Sequence, residues 1–153
     1  MAHVTKEIDS AVKRLNIDSS SFVRLTTKQN ANLYQRLLKK FVASGDRRWW
    51  WEDFKLPSYN FEEHPNRIEQ LRNILVAIKE KVWFMPEDDE YGFYPIYESE
   101  PAVIPDILSE CFFFEYYIIS KQENWLICEN HHDHLIGINS IEYLNTLWIK
   151  LKR

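Results

Sequence analysis

The sequence predicts an α+β fold: N-terminal helices packed on an antiparallel sheet of about five strands, with a closing C-terminal helix. Three observations lead there. Apolar residues recur at helical spacing through the first half of the chain, whereas after Val82 short apolar runs alternate with polar or Pro- and Gly-bearing turns. The 153 residues are 45% hydrophobic and 15% aromatic, enough apolar mass for a sizeable core. Three glycines and six prolines leave little linker composition, so residues 1–153 read as a single domain.

Taken in order, Ile8, Val12 and Leu15 mark an amphipathic helix from Thr5 to about Leu15. Ser19, Ser20 and Ser21 form a turn before a short extended piece, Phe22–Leu25. A stronger helix runs from about Lys28 to Ala43, with Leu33, Leu37, Leu38 and Phe41 on one face and Gly45 placed to end it. Arg47–Phe54 is read as a strand, in which Trp49 and Trp51 share one face and Trp50 takes the other. Such a strand is either covered on both sides or carries a ring on the surface. A partner-binding hot spot and a stacking platform for nucleic acid are the functional alternatives. Pro57–Glu63 reads as a loop. A helix with Pro65 near its first turn then buries Ile68, Leu71, Leu75 and Ile78 and runs to about Lys79.

Val82–Met85 and Phe93–Tyr97 are expected to be strands joined by the acidic turn Pro86–Gly92. A short helix follows over Pro101–Glu110, then a meander of Phe113–Ser120, Trp125–Glu129 and His134–Ile138. Ser140 is placed to cap a last helix carrying Ile141, Leu144, Leu147 and Trp148.

The net charge of −4 conceals an asymmetry along the chain. Residues 82–120 hold nine acidic side chains and no Lys or Arg, while residues 1–81 carry a net positive charge. Within that stretch Glu87, Asp88, Asp89 and Glu90 are followed by Tyr91, Tyr94, Glu98 and Glu100. One reading is a solvated hairpin. The other is a recognition patch, in which carboxylates steer a basic partner and the interleaved aromatics supply contact area. These eight residues are the candidate partner-binding set, and replacing Asp88 and Asp89 by lysine is then expected to slow association.

Catalytic chemistry finds little support. Cys128, Glu129, Asn130, His131, His132, Asp133 and His134 offer metal-ligand types, but adjacent histidines diverge on an extended chain and the run falls where a hairpin should turn. Cys128 lies in an apolar strand and reads as a buried, inert thiol rather than half of a dyad with His132. None of the Gly-rich phosphate loops, nucleophile elbows or H-E-x-x-H patterns occurs. The expectation is a non-enzyme with no catalytic residue, metal or cofactor. Residues 1–13 carry Lys6, Glu7, Asp9 and Lys13 without an apolar run, so a cytoplasmic location with Cys111 and Cys128 as free thiols is expected. Membrane and direct nucleic-acid partners are not expected.

Glu115–Lys121, Trp125–Asp133 and Leu135–Ile138 together resemble the C-terminal hairpin of small cytosolic immunity proteins from bacterial polymorphic and contact-dependent toxin systems. In that pattern a strand, a turn leading to Trp and a strand ending in E-x-H-H-D follow one another. The resemblance implies a protein that binds and neutralises a cognate toxin domain. A nuclease, with its basic substrate groove, suits the acidic set above. The alternative is a regulatory or scaffold module that binds protein through the Arg47–Trp51 surface.

Overall fold

A computed structural model describes residues 3–44 and 49–139. Helix α1 (Val4–Arg14), strand β1 (Phe22–Arg24) and helix α2 (Thr27–Phe41) come first. A 3-10 turn (Trp50–Glu52), strand β2 (Tyr59–Asn60) and helix α3 (Arg67–Leu75) follow. The chain continues through β3 (Val82–Pro86), β4 (Tyr97–Ser99), α4 (Val103–Ser109), β5 (Tyr116–Ser120), β6 (Trp125–Glu129) and β7 (Leu135–Asn139). The strands form one antiparallel seven-stranded sheet in the order β1-β4-β3-β5-β6-β7-β2.

The local signals explain the helix starts. Thr26 and Gln29 form a reciprocal capping box ahead of α2, and the Asn66 side chain accepts from Glu69 N at 3.0 Å ahead of α3. After α1, Asn16 takes φ 55°, a left-handed conformation that Asn tolerates better than most residues.

Both faces of the sheet are covered, which is why β5 and β6 are apolar at every other position on each side. Phe84, Tyr116, Ile118, Trp125 and Ile127 point to one face and pack with Ile8 and Ala11 of α1, Leu71 and Ile74 of α3, and Ile104 and Ile107 of α4. Met85, Tyr117, Ile119, Leu126, Cys128 and Ile138 point to the other and pack with Leu33, Leu37 and Phe41 of α2 and with Trp50.

Three expectations need correction. The sheet has seven strands rather than about five, because both short edges were undercounted. β2 arises inside the expected Pro57–Glu63 loop and pairs Tyr59 with Gly137. There a Cβ on residue 137 would stand only 3.0 Å from the Phe61 ring, so the missing side chain lets the edge segment approach. The Trp segment is not a strand: Trp50 opens a 3-10 turn and is fully buried, because the turn drives its ring between α2 and the sheet.

The expected strand Phe93–Tyr97 is displaced to β4. Its first half is held by a helix side chain instead: buried Asn30 donates to Tyr94 O at 3.0 Å and accepts from Ile96 N at 2.7 Å. The short helix expected over Pro101–Glu110 is present as α4, between β4 and β5 in the chain, and helices lie on both faces of the sheet. Gly45 and the expected helix after Ser140 lie outside the described residues. Asn30→Ala is expected to cost about 1–3 kcal/mol, because it orphans both backbone groups, and urea denaturation measures it.

Candidate functional site

The stretch that is acidic along the chain is not acidic in the same way in space. Cations and histidines from distant segments meet most of its carboxylates. Arg14 bonds Glu110 at 3.1 Å, and Arg72 bonds Asp106 at 2.8 Å. Lys121 pairs with Glu98, holding that carboxyl below its ordinary range, and lies 4.1 Å over the Trp83 ring. His3 Nδ1 pairs with Glu90, and His131 Nδ1 with Glu115 at 2.7 Å.

The eight candidate residues therefore separate. Asp88 is buried, with Oδ1 accepting from Glu90 N at 3.1 Å. Tyr94 is buried and Glu87 mostly enclosed, while Glu98 and Glu100 are half-buried on and just beyond β4. Asp89, Glu90 and Tyr91 are exposed, and Phe93, which the candidate set omitted, stands exposed beside them. Its signal was available in the same aromatic run. Because Asp88 faces inward, lysine there would break the loop rather than reverse a surface charge; of the two aspartates only Asp89 suits that experiment.

The loop from Glu87 to Ile96 is tied down from below. Glu87 N continues the sheet ladder to Glu115 O at 2.9 Å. The Glu87 carboxyl accepts from Tyr117 OH at 3.1 Å and Tyr94 OH at 3.3 Å, and is hydrogen-bonded to the Glu115 carboxyl. Burial, reinforced by Glu115, pushes Glu87 up to about 9, so at neutral pH it is a neutral acid donating to its neighbour. Burial pushes Glu115 up as well, but the proton from Glu87 and two bonds from His131, through N at 2.6 Å and Nδ1, bring it below its ordinary value.

Above the sheet end, Trp49, Trp51 and His131 form a ring cluster, with Trp49 and Trp51 at 5.5 and 5.4 Å from His131 and 6.3 Å from each other. The Arg47–Trp51 surface thus lacks Trp50, and its Arg47 lies outside the described residues. On its outer side the loop borders a groove of about 380 Å3 lined by Arg24, Leu25, Asn30, Tyr91, Phe93 and Pro95, among others. The Arg24 guanidinium sits 4.9 Å over the Tyr91 ring, and Tyr91 OH lies 3.2 Å from Thr5 Oγ1.

The histidine run forms the β6–β7 turn. Asn130 Oδ1 accepts from His132 N at 3.0 Å and His134 N at 3.1 Å, and Asp133 takes φ 62°. Among the described residues no group of three or more His, Cys, Asp or Glu side chains is arranged to hold a metal ion. Cys128 is fully buried, and burial pushes its thiol far up; Cys111 is half-buried and pushed up to about 11. Neither is disulfide-bonded. No described helix is long and apolar enough to cross a membrane.

The sequence model of a family of unknown function, DUF6756, matches residues 1–148, and the chain belongs to that family. No curated protein and no solved structure matches it.

Proposed function

We propose that this chain is a protein-binding module that captures a cationic partner on the tip of the β3–β4 loop, and that the partner is a toxin domain, a nuclease in the first instance, which it neutralises by occlusion in the cytoplasm. The observation that carries the reading is a pair of large rings, Tyr91 and Phe93, each 37% exposed, on a loop whose base is anchored in the core. Asp89 and Glu90 stand exposed next to them. Rigid aromatics at the centre with charge at the rim is the composition by which protein interfaces gain affinity and association rate. The resemblance of the β5–β7 hairpin to immunity proteins supplies the partner class.

Co-expression with the toxic domain encoded beside this gene tests the proposal. Rescue of growth together with a 1:1 complex supports it; a toxic neighbour that is neither bound nor neutralised removes it. The site itself is tested by Tyr91→Ala combined with Phe93→Ala. Affinity is expected to fall at least about 30-fold, the equivalent of a 2 kcal/mol hot spot, in a variant that thermal melting shows still folded despite losing the Tyr91 contacts with Thr5 and Arg24 and the stacking of Phe93 on Tyr34. Unchanged affinity by titration calorimetry would move the contact surface elsewhere.

A further inference from the structure

The loop that carries Tyr91 and Phe93 begins at Glu87, and the groups packed around that carboxyl are unusual in their sign. From the residue before β5 it faces Glu115, from β5 Tyr117, from its own loop Tyr94, and from β6 Cys128. Beyond Glu115 stands His131 of the β6–β7 turn, and α2 places Tyr34 against Tyr94, ring centroids 5.9 Å apart. Among the described residues, no Lys or Arg is one of the groups acting on Glu87. Two carboxyls in contact within low-polarity surroundings cannot both be ionised without large repulsion, so one proton is part of the structure.

We propose that Glu87 is a proton-operated latch on the docking loop: while Glu87 and Glu115 share a proton, the loop is pinned through Tyr94 and Tyr117, and losing that proton to solvent releases it. This rests on the reading of the loop as the docking surface only for its biological meaning; the latch itself is a property of the chain alone. The sign follows from the two groups. Glu87 has its carboxyl raised, so its stabilising contribution is full only below the ordinary carboxylate value and declines as pH rises above it, while the proton itself stays on the folded chain until pH passes about 9. Glu115 is lowered, so its contribution is lost only as pH falls through its depressed value. The latch is closed between those limits. On opening, the ionised Glu87 side chain must reach water, and the bond from Tyr94 that fixes the loop base goes with it.

Two measurements on the full chain decide the matter. Carbon-13 NMR of labelled glutamate carboxyls, with Glu87→Gln to assign the signal, is expected to show Glu87 titrating near pH 9, far above the ordinary carboxylate range. A Glu87 midpoint in the ordinary carboxylate range overturns the proposal, and that reading needs only the wild-type resonance to disappear in the variant spectrum. Hydrogen exchange of the amides from Asp88 to Phe93, corrected for intrinsic rate, is the second. Protection in the wild type should fall at least tenfold between pH 7 and pH 10 relative to β5 and β6. In Glu87→Gln, which keeps an uncharged donor and acceptor, it should hold. Parallel loss in both proteins, or no loss in either, overturns the latch. If the latch operates but the Tyr91 and Phe93 variants bind the partner normally, the latch stands and the docking surface falls.

Discussion

Replacing Trp50 by alanine is expected to destabilise the protein by about 3–5 kcal/mol, the range for removing a large buried aromatic side chain. The ring is fully buried and lies 5.3 Å from Tyr34, 5.5 Å from Tyr117 and 6.4 Å from Tyr94, so it touches α2, β5 and the loop base at once. Its indole N–H is buried and has no hydrogen-bond partner among the described residues. Trp50→Phe is therefore expected to cost clearly less than Trp50→Ala, because it removes a desolvated donor along with part of the ring. Urea denaturation of the two variants gives the comparison. A Trp50→Ala protein as stable as wild type would mean that the ring is not a core group.

Arg67→Met should be nearly as damaging, and its damage should depend on pH. Arg67 and Glu129 are 13% and 8% exposed, with Nε and Oε2 3.7 Å apart, while Tyr116 OH donates to the other carboxylate oxygen at 2.8 Å. Arg67 also donates to Gln70 Oε1 at 2.8 Å and to the Asp133 carbonyl, so it ties α3 to the β6–β7 turn. Burial already holds Glu129 above its ordinary value, against the lowering exerted by Tyr116 and Arg67. Without the cation that carboxyl rises further. A group raised in the folded state stabilises below its unfolded value and loses that contribution as pH rises. The expected loss is thus about 3–5 kcal/mol at pH 8, the cost of stranding a buried charge, and distinctly less at pH 5. Adding Glu129→Gln should recover most of it at pH 8. A loss independent of pH would assign the damage to the bonds with Gln70 and Asp133 instead.

Which parts of this were legible in the sequence depends on how local the cause is. The β5–β6–β7 meander was readable because each strand is a short apolar run and each turn is made by its own residues, as Asn130 and Asp133 do. Helices α1 and α2 were readable from spacing alone. Arg47–Phe54 was misread because three consecutive aromatics satisfy no period, and the choice of a 3-10 turn is made by the space between α2 and the sheet. β2 is two residues long and owes its existence to Gly137, 77 residues beyond Asn60 in sequence number. The acidic stretch was the least transparent. Nothing within residues 82–120 signals that Arg14, Arg72, Lys121 and the side chains of His3 and His131 come to meet it, nor that Glu87 and Asp88 turn inward. Of the candidate set, Asp89, Glu90 and Tyr91 are the exposed members, on the loop tip, with Phe93 beside them.

The strand order also governs the timing of assembly. Every central strand lies beyond Val82, and the segment before it supplies only edges of three and two residues, β1 on β4 and β2 on β7. During synthesis, α1 and α2 therefore emerge with apolar faces that have no sheet to cover. Neighbouring strands β5, β6 and β7 need only short loops to pair, whereas joining β1 to β4 closes a far longer one. The nascent first half must wait in a loosely collapsed state until the second half arrives. Its uncovered apolar faces make this nascent half a natural client for chaperones until the central strands arrive.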